Sequence, residues 1–127
     1  MQQKQLFEYA IIRFVPKVER EEFINIGVIL CCQGLQFLQM KFTLDKNKIT
    51  ALIADADIKE IEENLNAFKQ ICEGNTLSAP IGLLPLAERF RWLTATRSTI
   101  VQTSQVHPGF CNDANETLER LYKQMVL

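Results

Sequence analysis

Fourteen Lys and Arg against fifteen Asp and Glu leave a net charge of −1 over 127 residues, of which 47% are hydrophobic and 23% charged. These are the proportions of a globular chain rather than a disordered one, and the length is that of a single domain spanning 1–127. The balance argues against holding DNA or RNA through bulk charge, which needs a basic excess or stripe. No apolar run approaches the ~20 residues that span a bilayer, since the longest, Val28–Cys32, has strand length.

Residues 6–15 begin the chain as a strand that ends at Pro16. Phe7, Tyr9, Ile11 and Val15 alternate with Leu6, Ala10, Ile12 and Phe14, so both faces are apolar and the strand is expected to be central and covered on both sides. A charged connector, 17–22, leads to a second strand, 24–32. Gln33-Gly34 is expected to turn tightly into a third strand, 35–43, with Leu38, Met40 and Phe42 inward and Gln39 and Lys41 outward. A short helix is expected near 47–53. Asp57 with Glu60 forms a capping box for a longer one, with Ile58, Ile61, Leu65, Phe68 and Cys72 on one stripe and Gly74 as its stop. Residues 75–84 read as loop. Pro85 opens a helix with Leu86, Phe90 and Leu93 on one stripe, 97–105 read as a strand, and His107-Pro108-Gly109 as a turn. Asp113 with Glu116 caps a last helix with Leu118, Leu121, Tyr122 and Met125 inward. The expected class is α+β: a mostly antiparallel sheet of about four strands, three in an N-terminal meander plus a later one, with about three helices.

The N-terminus lacks the apolar segment of a signal peptide, and Cys31, Cys32, Cys72 and Cys111 contain no Cys-x-x-Cys pair. A cytoplasmic protein with reduced structural thiols, no metal and no cofactor is therefore expected. Phosphate-binding glycine loops, nucleophile elbows and zinc-helix motifs are absent, and the one histidine excludes any site needing two imidazoles from one chain.

The remaining chemistry lies in polar groups in awkward places. Arg13 breaks an apolar strand face; it either pairs with Glu19, Glu21 or Glu22 or binds an anion. Asn25 and Gly27 are expected on one face of the second strand, Gly27 marking a bulge or a close approach by another group and Asn25 bonded to a loop or to a ligand. Arg89, Arg91 and Arg97 surround Trp92, followed by Ser98, Thr99, Gln102, Thr103 and Ser104: a helix face and edge strand, or a groove for a phosphate or an acidic peptide. His107 is an acid–base group or a loop residue.

Two segments carry a family resemblance. Tyr9-Ala10-Ile11-Ile12-Arg13 with Val15-Pro16, continuing through Glu19-Arg20-Glu21-Glu22-Phe23-Ile24-Asn25-Ile26-Gly27-Val28-Ile29-Leu30, is the first. Arg89-Phe90-Arg91-Trp92-Leu93-Thr94-Ala95, Arg97-Ser98-Thr99, and Val106-His107 with Gly109 is the second. Together they resemble the motifs of a bacterial family catalogued as domain of unknown function 3037. Residues 44–85 match only as helical filler. Members of that family are often encoded beside HipA-like kinases, a fold known from toxin–antitoxin modules. The resemblance thus implies an interaction or regulatory module with such a kinase as partner. The rival expectation is an enzyme, or a binder of a phosphorylated or anionic ligand. In it Arg13, Arg20, Asn25 and Arg97 hold the anion and Glu22 or His107 transfers a proton. A nucleic-acid binder using Trp92 and the arginines is the third and weakest.

Overall fold

The computed structural model describes residues 4–97 and 99–127. Ser98, among the groove candidates, and Met1–Gln3, in the N-terminal reading, lie outside the described residues. Strand β1 (Gln5–Phe14) divides the core. Successive side chains of a strand point to opposite faces, so Ala10, Ile12 and Phe14 enter one apolar cluster and Phe7 and Tyr9 a second. Strand β2 (Ile24–Cys32) pairs antiparallel with β1, and β3 (Phe37–Phe42) pairs antiparallel with β2. The link between β2 and β3 is longer than a two-residue turn. Gln33–Leu35 form a 3-10 turn, and Gln36 closes it in the left-handed region at φ 53°.

The other edge of β1 is shared by β4 (Val101–Thr103) and β5 (His107–Cys111). Ile12 faces Thr103 in one ladder, and Tyr9 faces His107 in the next. Ala10 and Ile11 therefore oppose three residues, Ser104, Gln105 and Val106, which is a β-bulge joining two halves of one edge strand. Ser104 holds it: its N–H donates to the Ile11 carbonyl at 2.8 Å, and its hydroxyl accepts from the Ile11 N–H at 2.8 Å. The expected strand 97–105 is thus regular only over Val101–Thr103, and the expected turn at 107–109 is a fifth strand. Since Ile11 bonds toward this edge, alternation points the backbone groups of Glu8 and Pro108 away from each other. Pro108 therefore costs the ladder no hydrogen bond and blunts an open edge. Gly109 is required by packing, because a Cβ there would lie 2.4 Å from the Phe7 ring.

A second bulge, in β2, corrects the expectation for Asn25 and Gly27. Ile12 faces Gly27 while Arg13 faces Asn25, so Ile26 is the extra residue. Gly27 then shares a face with Ile12 and Asn25 shares the opposite face with Arg13. A Cβ on Gly27 would stand 2.7 Å from the Lys41 carbonyl oxygen and 2.8 Å from the Phe42 Cβ.

Among the described residues four helices complete the α+β fold. Helix α1 (Lys46–Leu52) is capped by Asp45. Helix α2 (Ile58–Glu73) starts where Asp57 accepts from the Glu60 N–H and stops at Gly74, φ 74°. Helix α3 (Leu86–Leu93) follows two 3-10 turns within 75–84. Helix α4 (Ala114–Met125) is capped by Asp113. Ile49 of α1, the stripe Ile61, Leu65, Phe68 and Cys72 of α2, and Phe90 and Leu93 of α3 pack on one face of the sheet. Leu118, Leu121 and Tyr122 of α4 pack on the other. Each such large side chain contributes about 1.5–3 kcal/mol on burial. Helix α4 lies over β2 and β3 rather than over β1. Tyr9, Ile11 and Arg13 therefore remain only half-buried on a central strand. Among the described residues no helix is long and apolar enough to cross a membrane.

Candidate functional site

Arg13 sits in the open half of the α4 face. Asn25 of β2 flanks it on one side and Gln102 of β4 on the other. It pairs with none of Glu19, Glu21 or Glu22. After the 3-10 turn Val18–Arg20 the chain doubles back and lays the Phe23 ring under the guanidinium, whose carbon is 4.1 Å from the ring centroid. Glu22 is engaged elsewhere, with Arg20 at 2.5 Å. Among the described residues no carboxylate forms an ion pair with Arg13, and its Nε is buried without a hydrogen-bond partner. Stacking on an aromatic face holds a guanidinium flat without neutralising its charge.

Asn25 has one amide function used and one idle. Its Nδ2 donates to the Met125 carbonyl at 3.1 Å, tying the end of α4 to β2. Its Oδ1 is buried with no partner. An orphaned donor on Arg13 and an orphaned acceptor on Asn25 thus share one face on neighbouring strands, where an unpaired buried polar group costs about 1–3 kcal/mol.

His107 lies on the same face, opposite Tyr9, with ring centroids 5.4 Å apart. Tyr9 and Arg13 are four residues apart on β1, or about 13 Å at a rise of about 3.3 Å per residue. His107 and Arg13 can thus touch one large partner but not one small reacting group.

The other candidates stand apart. Arg20 and Glu22 form an exposed pair beside Pro16, Leu52 and Ile53, near the end of α1. Arg97 belongs to the α3–β4 connection. Its guanidinium lies between the Phe68 and Trp92 rings, 5.0 and 4.7 Å from their centroids, and donates to the carbonyls of Ala95 and Trp92. Phe68 belongs to the cluster under α2 and α3, so Arg97 is across the sheet from Arg13. Burial lowers the pKa of Arg97. The six candidates therefore occupy three places, and only Arg13, Asn25 and His107 share a face. Phe23 and Tyr9, which hold two of them, lie within the first family motif, but nothing in the sequence beyond their aromatic type points to these contacts.

All four cysteines are free and buried, with Cys31 and Cys32 on opposite faces. Burial, seconded by Glu8, pushes the Cys31 thiol up to about 11, and burial pushes Cys72 up to about 12. Neutral thiols are poor nucleophiles and poor metal ligands. Among the described residues no group of three or more His, Cys, Asp or Glu is placed to hold a metal ion.

The arrangement is a partly apolar strip with a stacked cation at one end and an imidazole on tyrosine at the other. Phe7, Tyr9, Ile11, Gln102 and His107 bring it no carboxylate. It can receive a carboxylate flanked by apolar surface.

No curated protein and no solved structure matches the chain. The family described as "Protein of unknown function (DUF3037)" matches residues 9–126, which take in both motifs and every candidate named above, and the chain belongs to that family.

Proposed function

We propose that this protein is a bacterial, cytoplasmic protein-interaction module. Its docking surface is the half of the sheet that α4 leaves open. One observation carries the reading: Arg13 is stacked on Phe23, has no carboxylate partner among the described residues, and sits on a half-buried strand beside Ile11 and Tyr9. The occupant is a partner surface that offers a carboxylate to Arg13 and apolar side chains to Ile11 and Phe23. A stacked cation beside half-buried apolar side chains is the mixture that the core of a protein interface uses. The HipA-like kinase that the family resemblance implies is the first partner to test. Titration calorimetry with that kinase from the same organism is expected to give stoichiometric binding that Arg13→Ala and Phe23→Ala each weaken about tenfold, or about 1.4 kcal/mol. Glu62→Ala, on the outer face of α2, is the control. Binding undiminished in both variants would overturn the placement of the surface. A pull-down from the host that recovers no stoichiometric partner would overturn the module itself.

A second reading, a small anion held by Arg13 and Asn25, is favoured by their orphaned Nε and Oδ1. Saturable binding of inorganic phosphate, lost in Arg13→Ala, would establish it over the first. Proton transfer by Glu22 or His107 finds less support, since Glu22 is engaged with Arg20 and His107 lies about four strand residues from Arg13.

A further inference from the structure

We propose that a cleft on the opposite side of the sheet binds a small organic carboxylate with an apolar body. The cleft has a volume of about 450 Å³ and opens between β3, the end of α2 and the start of α3. Ligand sites commonly hold about 300–1,000 Å³. Leu38, Met40, Cys72 and Leu86 form a small apolar floor, with Leu38 and Cys72 only 7% and 3% exposed, and polar groups supply the larger part of the surface the cleft offers.

The cation that faces this floor is fixed in advance. Arg89 Nη1 donates to the carbonyls of Ile71 at 3.2 Å and Cys72 at 2.9 Å, closing the C-terminal end of α2. A cation there also complements the helix dipole. Gly74 makes the approach feasible, because a Cβ on it would lie 2.7 Å from that nitrogen. Arg89 Nη2 has no hydrogen-bond partner among the described residues, while Nε is buried. A guanidinium already immobilised by its own fold loses little freedom when a ligand arrives.

Lys69, one turn before Glu73, supplies a second and mobile cation; the two are 4.0 Å apart and more than half exposed, so they hold each other weakly. With Arg89 and Lys69 positive and Glu73 negative, the lining carries one net positive charge. A singly charged carboxylate matches that sum. A doubly charged phosphate exceeds it and meets Glu73. The amides of Gln36 and Gln39 at the rim can donate to the second carboxylate oxygen. This cleft shares no residue with the Arg13 surface.

The test is an amide NMR titration of the full chain with hexanoate and with benzoate, against hexanamide and inorganic phosphate. Either carboxylate is expected to saturate with Kd at or below about 1 mM, with shifts centred on Gln39, Cys72 and Leu86. Hexanamide is expected to bind about tenfold more weakly and phosphate not to saturate. Lys69→Met should weaken carboxylate binding several-fold, and Leu86→Trp, which fills the cleft, should abolish it while the spectrum stays dispersed. Failure of both carboxylates to saturate, equal binding of hexanamide, or binding that survives Leu86→Trp would overturn the proposal.

Discussion

Asn25 shows how little a residue's type says about its use. The strand pattern marks it as misplaced, yet its amide serves to hold the last carbonyl of α4, a hundred residues away. Asn25→Ala should cost about 1 kcal/mol in urea unfolding, the usual net worth of one hydrogen bond, and should speed amide exchange in the last turn of α4 first. Gly27→Ala should cost more, about 1–3 kcal/mol, because the atoms in its way are backbone and Cβ of Lys41 and Phe42, which cannot swing aside. Arg13 was legible because a cation on a two-sided apolar strand needs an explanation. Its partner was not, because charge pairing made Glu19, Glu21 or Glu22 the expected choice. The return path of the turn delivered Phe23 instead.

At the scale of elements, local chemistry specified the helices. Asp57, Asp113 and Gly74 do at α2 and α4 what their types prefer. Asp57→Ala and Asp113→Ala should each cost about 1 kcal/mol of stability in thermal unfolding. The broken edge strand was hidden. Pro108-Gly109 has turn composition, but the proline faces an open edge and the glycine lies under a ring, so both are compatible with a strand. The bulge depends on Ser104. Ser104→Ala leaves the Ile11 N–H without its acceptor and should cost about 1–3 kcal/mol, read together with faster exchange of the Ile11 amide. Ser104→Thr, which keeps the hydroxyl, should restore most of it.

Across the whole molecule the buried thiols link stability to pH. Cys31 and Cys72 titrate near 9.0 when exposed and near 11 and 12 in the fold. Above pH 9 the unfolded chain releases protons that the native chain keeps, so unfolding gains free energy. This contribution is fully present below pH 9 and is lost as pH rises toward 11 and 12. Thermal scans should show an alkaline decline that a Cys31→Ala, Cys72→Ala double variant shows less steeply, though from a lower starting point. An aromatic disulfide reagent should modify none of the four thiols in native protein and all four in denaturant, since each is at most 6% exposed. The open half of the sheet is also a property of this scale. It exists because α4 starts beside β5 and runs over β2 and β3, leaving Tyr9, Ile11 and Arg13 half-buried, Tyr9 at the margin of the α4 cluster and Arg13 against the Phe23 ring.

The sequence by itself determined the class of fold, the central two-faced strand, the capped helices and the family, because alternation, capping and motif order act over a few residues at a time. Only the tertiary structure decided which polar groups meet. Two bulges, at Ile26 and at Ser104–Val106, each shift strand parity by one residue. They place Asn25 and His107 on the face of Arg13 and Gly27 on the opposite one. A single extra residue in a ladder reverses the face of everything beyond it; Gly27 marks the first insertion as a strand glycine often does, whereas nothing in the composition of Ser104–Val106 announces the second.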